Sequence, residues 1–367
     1  MFPKWFDKWN SDNPTNIFGP AIAVGVAGSA VFVAAMIVGW GQPFPTDSQQ
    51  TGPRGTGMSV PEFVSDLEAG DPAIEDFVTS EPIVPTAGSA LAIDTLEGVP
   101  DSLANVTVEN YERLLEAMRS WTGIEDLLEP GNDGYQTEVA WSMIEMTQNI
   151  NQNWAAHVQA NAEVGVTCYT CHRGEPVPNN IWFRVGPVNN NAAGWPAIQN
   201  RVTMTSNFTS LPSTYLEHFL LQDEDGFYGV AQVHDLASRV ENLEGDPLIQ
   251  QAEMTYAWMN YFSNSLGVNC VFCHNSRAFY DPTQVTPQWS TASLGIIMVQ
   301  EQLEQYILPL EDVLPAERLG PIYADVPKLA CRTCHQGEQQ PLNGLNVIAN
   351  WPELAVLDDV PDYSAFE

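Results

Sequence analysis

Residues 139–172 read VAWSMIEMTQNINQNWAAHVQANAEVGVTCYTCH, an apolar-faced helix followed by a Cys-x-x-Cys-His motif. The motif recurs at 270–274 and 331–335, and its three copies use every cysteine of the chain: Cys168, Cys171, Cys270, Cys273, Cys331 and Cys334. Cys-x-x-Cys-His attaches a c-type haem, because two thiols add to the haem vinyl groups and the adjacent histidine ligates the iron. The sequence therefore predicts three covalently attached haems.

Other uses of a Cys-x-x-Cys pair fit this pattern less well. A zinc half-site and a redox-active disulfide both use the pair, but neither needs a histidine directly after the second cysteine in three copies out of three. Iron–sulfur clusters need cysteines in fours, at other spacings. We therefore interpret all three motifs as haem attachment sites.

The unit of helix and motif is repeated along the chain. Further copies run from 252 to 274 and from 294 to 335, each a helix containing methionine, a short turn and the motif. A fourth helix, in residues 111–130, contains Met118 but has no motif after it. With 27 prolines and 26 glycines in the chain, we expect a mainly α-helical fold with extensive loops.

The amino-terminal region predicts a membrane anchor. Residues 17–40 carry no charged side chain, and as a helix they would be about 36 Å long, enough for a bilayer core of roughly 30 Å. A cleaved signal peptide is the alternative, but the apolar run is long and no small-x-small cleavage site follows it. We expect a cytoplasmic stub at 1–16, an uncleaved transmembrane helix at 17–40, an acidic linker or arm at 41–104 and a periplasmic multihaem domain at 105–367.

The net charge of −33 lies outside the predicted anchor, because Lys4 and Lys8 balance Asp7 and Asp12 at the amino terminus. A strongly negative surface repels nucleic acid and attracts basic proteins. Solubility alone would also explain this charge. For an electron carrier, we favour docking of a basic soluble c-type cytochrome or another periplasmic donor.

The sixth iron ligands come from methionine or histidine. Before the middle motif, Met259 is favoured over Met254, since the turn after the helix brings it closer to the motif. Before the first motif, one predicted helix carries three candidates: Met143, Met146 and His157. Met143 and His157 are about 21 Å apart along a helix, so they cannot serve one iron but are able to serve two.

Three histidines belong to the motifs: His172, His274 and His335. Of the others, His218 and His234 are interpreted as packing or surface residues. His157 is therefore the one non-motif histidine considered as a ligand.

Four segments carry a resemblance to a known family. They read MIEMTQNINQNWAAHV from 143, GVTCYTCHRGEPVP from 165, SLGVNCVFCHNSRAF from 265 and RLGPIYADVPKLACRTCHQG from 318. Over about residues 105–345 the chain resembles the cytochrome c subunit of the purple-bacterial photosynthetic reaction centre, a membrane-anchored multihaem protein. The resemblance implies a mainly α fold with two pseudo-symmetric halves around a row of haems.

The resemblance also implies the ligand set. Met143 would ligate the haem on Cys168 and Cys171, His157 the haem of the last motif, and Met259 the haem of the middle motif. Two haems would then be His/Met and one His/His, while Met146 and Met298 would be structural.

The implied function is photosynthetic electron transfer rather than catalysis. Electrons would pass from a soluble periplasmic carrier to the photo-oxidised bacteriochlorophyll pair of a reaction centre with L, M and H subunits, in the inner (chromatophore) membrane. The haem on Cys270 and Cys273 would be nearest the pair and the haem on Cys168 and Cys171 outermost. A membrane-anchored quinol dehydrogenase or haem reductase is the enzymatic alternative, and it would need a five-coordinate iron or a quinol pocket.

This chain departs from most members of the family in its haem count. Most have four haems, and the first of their motifs would fall just after Met118, where this chain has none. Many are also lipoproteins with an amino-terminal cysteine, which this chain lacks. We therefore expect a three-haem variant that has lost the haem farthest from the reaction centre, with residues 111–130 as the haem-less remnant.

Overall fold

The computed structural model describes residues 3–12, 18–39, 72–131, 134–160, 163–186, 198–199, 210–231, 248–279 and 281–367. The chain divides into two compact units, residues 1–69 and 70–367. The predicted linker up to residue 71 lies outside the described residues, as does His234.

The described residues of the first unit form helices α1 (Lys4–Asp12) and α2 (Phe18–Gly39). Helix α2 is 22 residues long and coincides with the apolar run of the sequence. Counting only the residues that the structure describes in full, no helix is both long and apolar enough to cross a membrane.

The second unit is built from helices joined by long irregular segments. Its α-helices are α3 (Pro72–Glu75), α4 (Ala92–Thr95), α5 (Val108–Thr122), α6 (Tyr135–Asn153), α7 (Ala155–Val158), α8 (Cys168–His172), α9 (Tyr215–Leu220), α10 (Leu248–Leu266), α11 (Pro287–Gln302) and α12 (Cys331–His335). Within the described residues β-structure is limited to two isolated bridges, Leu91 with Thr107 and Trp182 with Lys328. The mainly α-helical fold with extensive loops is confirmed.

Helix α5 forms because its apolar residues recur every three or four positions. Leu114, Met118 and Trp121 are all buried on one face, and Gly123 ends the helix in the left-handed conformation. Met118 therefore lies in the protein core, at 1% exposure.

The single helix predicted from Met143 to His157 is wrong. Helix α6 ends at Asn153, and His157 lies on the separate turn α7. Two features account for the break. The end of α6 is rich in asparagine, which has a low helix propensity, and the Trp154 indole at the junction donates a hydrogen bond to Glu301 at 3.1 Å.

The short turn between helix and motif is confirmed only for the middle unit, where α10 ends at Leu266 and the motif begins at Cys270. Fourteen residues separate α6 from α8, including the turn α7. After α11, a π-helical turn at Leu303–Ile307 and two 3₁₀ turns precede the last motif.

The second unit has two apolar cores. One surrounds α5 and includes Leu114, Trp121 and Trp351, while the other lies between α9, α10 and α11 and includes Trp258 and Leu303. The first motif contributes to the former core and the last motif to the latter, through partly buried Cys168 and Cys331.

Candidate haem-binding site

The first and last motifs fold in the same way. Each forms one helical turn, and the threonine at its third position accepts a hydrogen bond from the backbone N–H that precedes the first cysteine. The bonds run from Thr167 to Thr170 at 3.1 Å and from Ala330 to Thr333 at 2.9 Å. The middle motif has Phe272 at that position and forms a 3₁₀ turn instead.

Helices α8 and α12 lie against each other. The neighbouring thiol of Cys334, together with burial, raises the pKa of the Cys171 thiol, and the Gln336 side chain donates a long hydrogen bond of 3.4 Å to the Cys171 carbonyl. Two motifs that are far apart in the sequence therefore present their cysteines side by side.

Two of the motif cysteines lie in apolar surroundings. Burial raises the pKa of Cys168 to about 12 and that of Cys331 to about 12. These surroundings suit an uncharged sulfur, as in a thioether bond to a haem.

Backbone carbonyls orient the motif histidines. His172 Nδ1 donates to the Glu175 carbonyl at 2.8 Å, and His335 Nδ1 donates to the Glu338 carbonyl at 3.1 Å. Each bond puts the ring proton on Nδ1, so that Nε2 has the lone pair that binds a metal. Burial lowers the pKa of His172 and, with a contribution from the nearby His157, lowers that of His335 to about 4, so both imidazoles are neutral.

His157 is oriented in the same way as the motif histidines, although it belongs to no motif. Its Nδ1 donates to the Thr291 carbonyl at 2.9 Å, and burial lowers its pKa. Its ring lies against Gly295 of α11, where any larger residue would meet the imidazole.

The rings of His157 and His335 have their centroids 6.4 Å apart and their planes at 68° to each other. Two imidazoles that bind one iron from opposite sides, through bonds of about 2 Å, hold their ring centres about 6 Å apart. The pair therefore has the spacing of two axial ligands on a single iron.

A cavity of about 820 Å³ lies between these groups. It is lined by the cysteines and histidines of the first and last motifs together with Met143, Met146, His157 and Met298. An apolar cavity with thiols and neutral imidazoles on its wall fits covalently bound haem. Met143 and Met146 both line this cavity, so the cavity does not decide which of them is the sixth ligand.

The middle motif reaches the cavity only through Phe272 and Cys273. Cys270 is exposed, and Val271 and Phe279 are 54% and 45% exposed. Met259, on α10, is partly buried, whereas Met254 is a core residue at 6% exposure. The site of the middle motif is therefore at the surface of the second unit.

Sequence reasoning missed the carbonyls that hold the imidazoles. The sequence does distinguish two of these carbonyls. The first and last motifs continue as His-x-Gly-Glu, in His172–Glu175 and His335–Glu338, and the middle motif does not. The sequence does not mark the Thr291 carbonyl in this way. His218 makes a ring contact with Phe219, at 4.7 Å between centroids.

Known proteins resemble the chain over almost its whole length. The model of the photosynthetic reaction centre cytochrome C subunit family matches residues 41–355. The chain belongs to this family. The match begins before and ends after the region 105–345 that the motifs suggested.

Three relatives are each named photosynthetic reaction center cytochrome c subunit. The protein of Roseobacter denitrificans is 56% identical over 98% of this chain and 99% of its own length. That of Rubrivivax gelatinosus is 35% identical over 91% of this chain and 90% of its own length. That of Thermochromatium tepidum is 35% identical over 91% of this chain and 81% of its own length. Membership in a cytochrome c family agrees with covalent haem at the Cys-x-x-Cys-His motifs.

Proposed function

We propose that this protein is an electron-transfer subunit that carries electrons from a soluble periplasmic donor to the photo-oxidised bacteriochlorophyll pair of a reaction centre. Each haem supplies a one-electron ferric/ferrous couple when it is bound. The observation that carries the proposal is the cavity in which two haem-attachment turns meet and the ring centroids of His157 and His335 are 6.4 Å apart. The family and the names of the three relatives support the same role.

We propose the axial pairs His172 with Met143, His274 with Met259, and His335 with His157. The spacing of the two imidazoles and the bond from His157 Nδ1 to the Thr291 carbonyl support the last pair. The positions of Met143 beside the cavity and of Met254 in the core agree with the other two.

We propose that the chain has three haems, and that its second unit consists of two pseudo-symmetric halves. Equivalent hydrogen bonds support the symmetry: Gly174 N donates to the Trp121 carbonyl and Gly337 N to the Ser265 carbonyl, both at 2.9 Å. Trp121 therefore corresponds to Ser265, which pairs α5 with α10.

In this register the residue that corresponds to Met259 is Leu115, and Met118 corresponds to Phe262. The helix before the missing motif thus has no thioether at the position of a sixth ligand. The haem-less unit that contains α5 has neither the attachment motif nor the ligand, so we do not expect a noncovalent haem there.

We propose that the middle haem is nearest the bacteriochlorophyll pair and that the first is outermost. The exposure of Cys270, Val271 and Phe279 supports the first part, because an electron must leave through a site close to the protein surface. The contact between α8 and α12 supports direct exchange between the first and last sites.

We propose that residues 17–40 cross the inner membrane once, with the amino terminus cytoplasmic and the haem domain periplasmic, in contact with the L, M and H subunits. The uncharged sequence and Lys4 and Lys8 before it support this orientation. The proposed six-coordinate irons leave no open position for catalysis, so we infer an electron carrier rather than an enzyme. Carbon monoxide binding to the reduced native protein would contradict that inference.

Flash excitation of native membranes tests the function. We expect the haem α-bands to bleach as the bacteriochlorophyll pair is re-reduced, because this chain donates the electron. A matched sample with the haems chemically oxidised before the flash should show slow re-reduction of the pair. If excitation leaves the α-bands unchanged in the reduced sample, the proposed function is wrong.

A further inference from the structure

We propose that the haem-less helix α5 positions the axial histidine of the first haem, through its terminal residue Gly123. This inference rests on the proposed function, since it takes His172 as an iron ligand. It assigns a task to the one helical unit that has no haem of its own.

The end of α5 is in direct contact with the turn that follows the first motif. The Trp121 carbonyl accepts a hydrogen bond from Gly174 N at 2.9 Å. Gly123, at φ +64°, lies so close to the Gly174 carbonyl that any β-carbon would overlap the carbonyl oxygen. A side chain at this position would therefore push the peptide of Gly174 away from the helix.

That peptide leads directly to the group that holds the imidazole. Glu175, the next residue, accepts the hydrogen bond from His172 Nδ1 at 2.8 Å. The chain of contacts runs from the end of α5 through Gly174 and Glu175 to the imidazole of His172. Movement of the Gly174 peptide would displace the Glu175 carbonyl and weaken its bond to the ring.

The same device occurs at the last motif. Gly267, at φ +63°, directly follows helix α10, and a β-carbon there would overlap the Gly337 carbonyl oxygen. The Ser265 carbonyl accepts a bond from Gly337 N, and the Glu338 carbonyl accepts one from His335 Nδ1 at 3.1 Å. Two independent copies with matching geometry argue for a common purpose.

The middle motif is held in another way. Thr286, at the start of α11, bonds to the carbonyls of Phe272 at 2.7 Å and Cys273 at 3.2 Å. The second residue after His274 is Ser276, where the other two motifs have Gly174 and Gly337. The contrast predicts that the middle haem is insensitive to a change at Gly123.

The test is Gly123→Ala in the membrane-bound complex, with redox titration of the three α-bands. A weaker bond at Nδ1 makes the imidazole a poorer electron donor to the iron, which favours the ferrous state. We expect the potential of one haem to rise, with a roughly tenfold change in its ferrous-to-ferric ratio, about 59 mV, and the other two to stay constant. Gly267→Ala should raise the potential of a different haem.

Gly131→Ala is the matched control. Gly131 also has a positive φ, of 85°, but no atom lies within 4 Å of its added β-carbon. This variant has the backbone strain without the overlap, so all three potentials should stay as they are. If Gly123→Ala prevents haem attachment throughout the chain, the potential of the last haem in Gly267→Ala is the deciding measurement, and it should rise.

Several results would overturn the inference. These are unchanged potentials in both variants, a shift of the same haem by both, or an equal shift with Gly131→Ala. A haem count other than three in the unmodified chain, or no haem on the peptide with Cys168 and Cys171, would instead contradict the proposed function.

Discussion

Backbone carbonyls orient the imidazoles that we propose as axial ligands of the first and last sites. His157, His172 and His335 each donate from Nδ1 to a carbonyl, at distances of 2.8 to 3.1 Å. A carbonyl cannot be exchanged by a single side-chain mutation, so these hydrogen bonds depend on the path of the main chain. The identity of the ligands is a property of residues, but their orientation is a property of the fold.

The choice between Met143 and Met146 is tested at the residue scale. Met143→Leu should lower the potential of one haem and leave two unchanged, because a thioether ligand favours ferrous iron. Redox titration of the α-bands measures this. The haem that responds should be the one that Gly123→Ala shifts.

Met146→Leu is the control, since Met146 lines the same cavity. It should leave all three potentials in place. If Met146→Leu shifts a haem potential and Met143→Leu does not, Met146 is the ligand and Met143 is not. If Met143→Leu shifts the potentials of two haems, the proposal that Met143 ligates one iron is wrong.

At the scale of elements, helix α5 is clamped by two segments from opposite ends of the second unit. Arg113 Nη2 donates to both carboxylate oxygens of Glu353, at 2.8 and 2.9 Å, and Nη1 donates to the carbonyls of Ser80 and Asn350. The Glu353 side chain is fully buried, and Tyr363 donates to it at 3.1 Å. One cation therefore joins the segment before α5 and the carboxyl-terminal segment to the helix.

Glu353→Gln should lower the free energy of unfolding by about 3–5 kcal/mol, because it leaves the Arg113 charge buried without its partner. Urea unfolding followed by circular dichroism measures the change. We also expect faster proteolysis of the carboxyl-terminal segment.

Glu129→Gln is the matched change in an exposed pair whose arginine, Arg119, also lies on α5. Arg119 and Glu129 are 3.7 Å apart and their side chains are 31% and 55% exposed, so the loss should be about 0–1 kcal/mol. Equal losses in the two variants would show that the Arg113 pair does not clamp α5.

At the scale of the whole molecule, the main feature is the large negative charge. With 46 acidic against 13 basic residues, the protein has a formal charge of −33. Such a field raises the rate at which a basic partner associates, and salt screens it. The lining of the cavity is in contrast largely apolar, so salt should act on docking and not on transfer inside the protein.

Raising the ionic strength from about 0.01 to about 0.15 M shortens the Debye length from about 30 to about 8 Å. We expect reduction of the flash-oxidised haems by a cytochrome c of high isoelectric point to slow at least about tenfold. Re-reduction of the bacteriochlorophyll pair in the same traces should keep its rate. A neutral small-molecule reductant is the control, and equal salt dependence for both donors would exclude electrostatic docking.

The sequence alone determined the covalent chemistry and the helical class. Six cysteines in three Cys-x-x-Cys-His motifs leave few alternatives, because thioether attachment depends on residues that are adjacent in the chain. Helix α5 and the end of α10 near Ser265 were predictable for the same reason, since periodicity and a terminal glycine are local signals.

Only the tertiary structure decided which distant groups meet. The break at Trp154, the contact between Cys171 and Cys334, and the neighbouring rings of His157 and His335 depend on packing between segments that are far apart in the sequence. The role of Gly123 depends on packing too, because helices α6, α7 and α8 separate it from its neighbour Gly174 along the chain. Local patterns encode what a residue is able to bind, whereas the approach of two chain segments decides what it does bind.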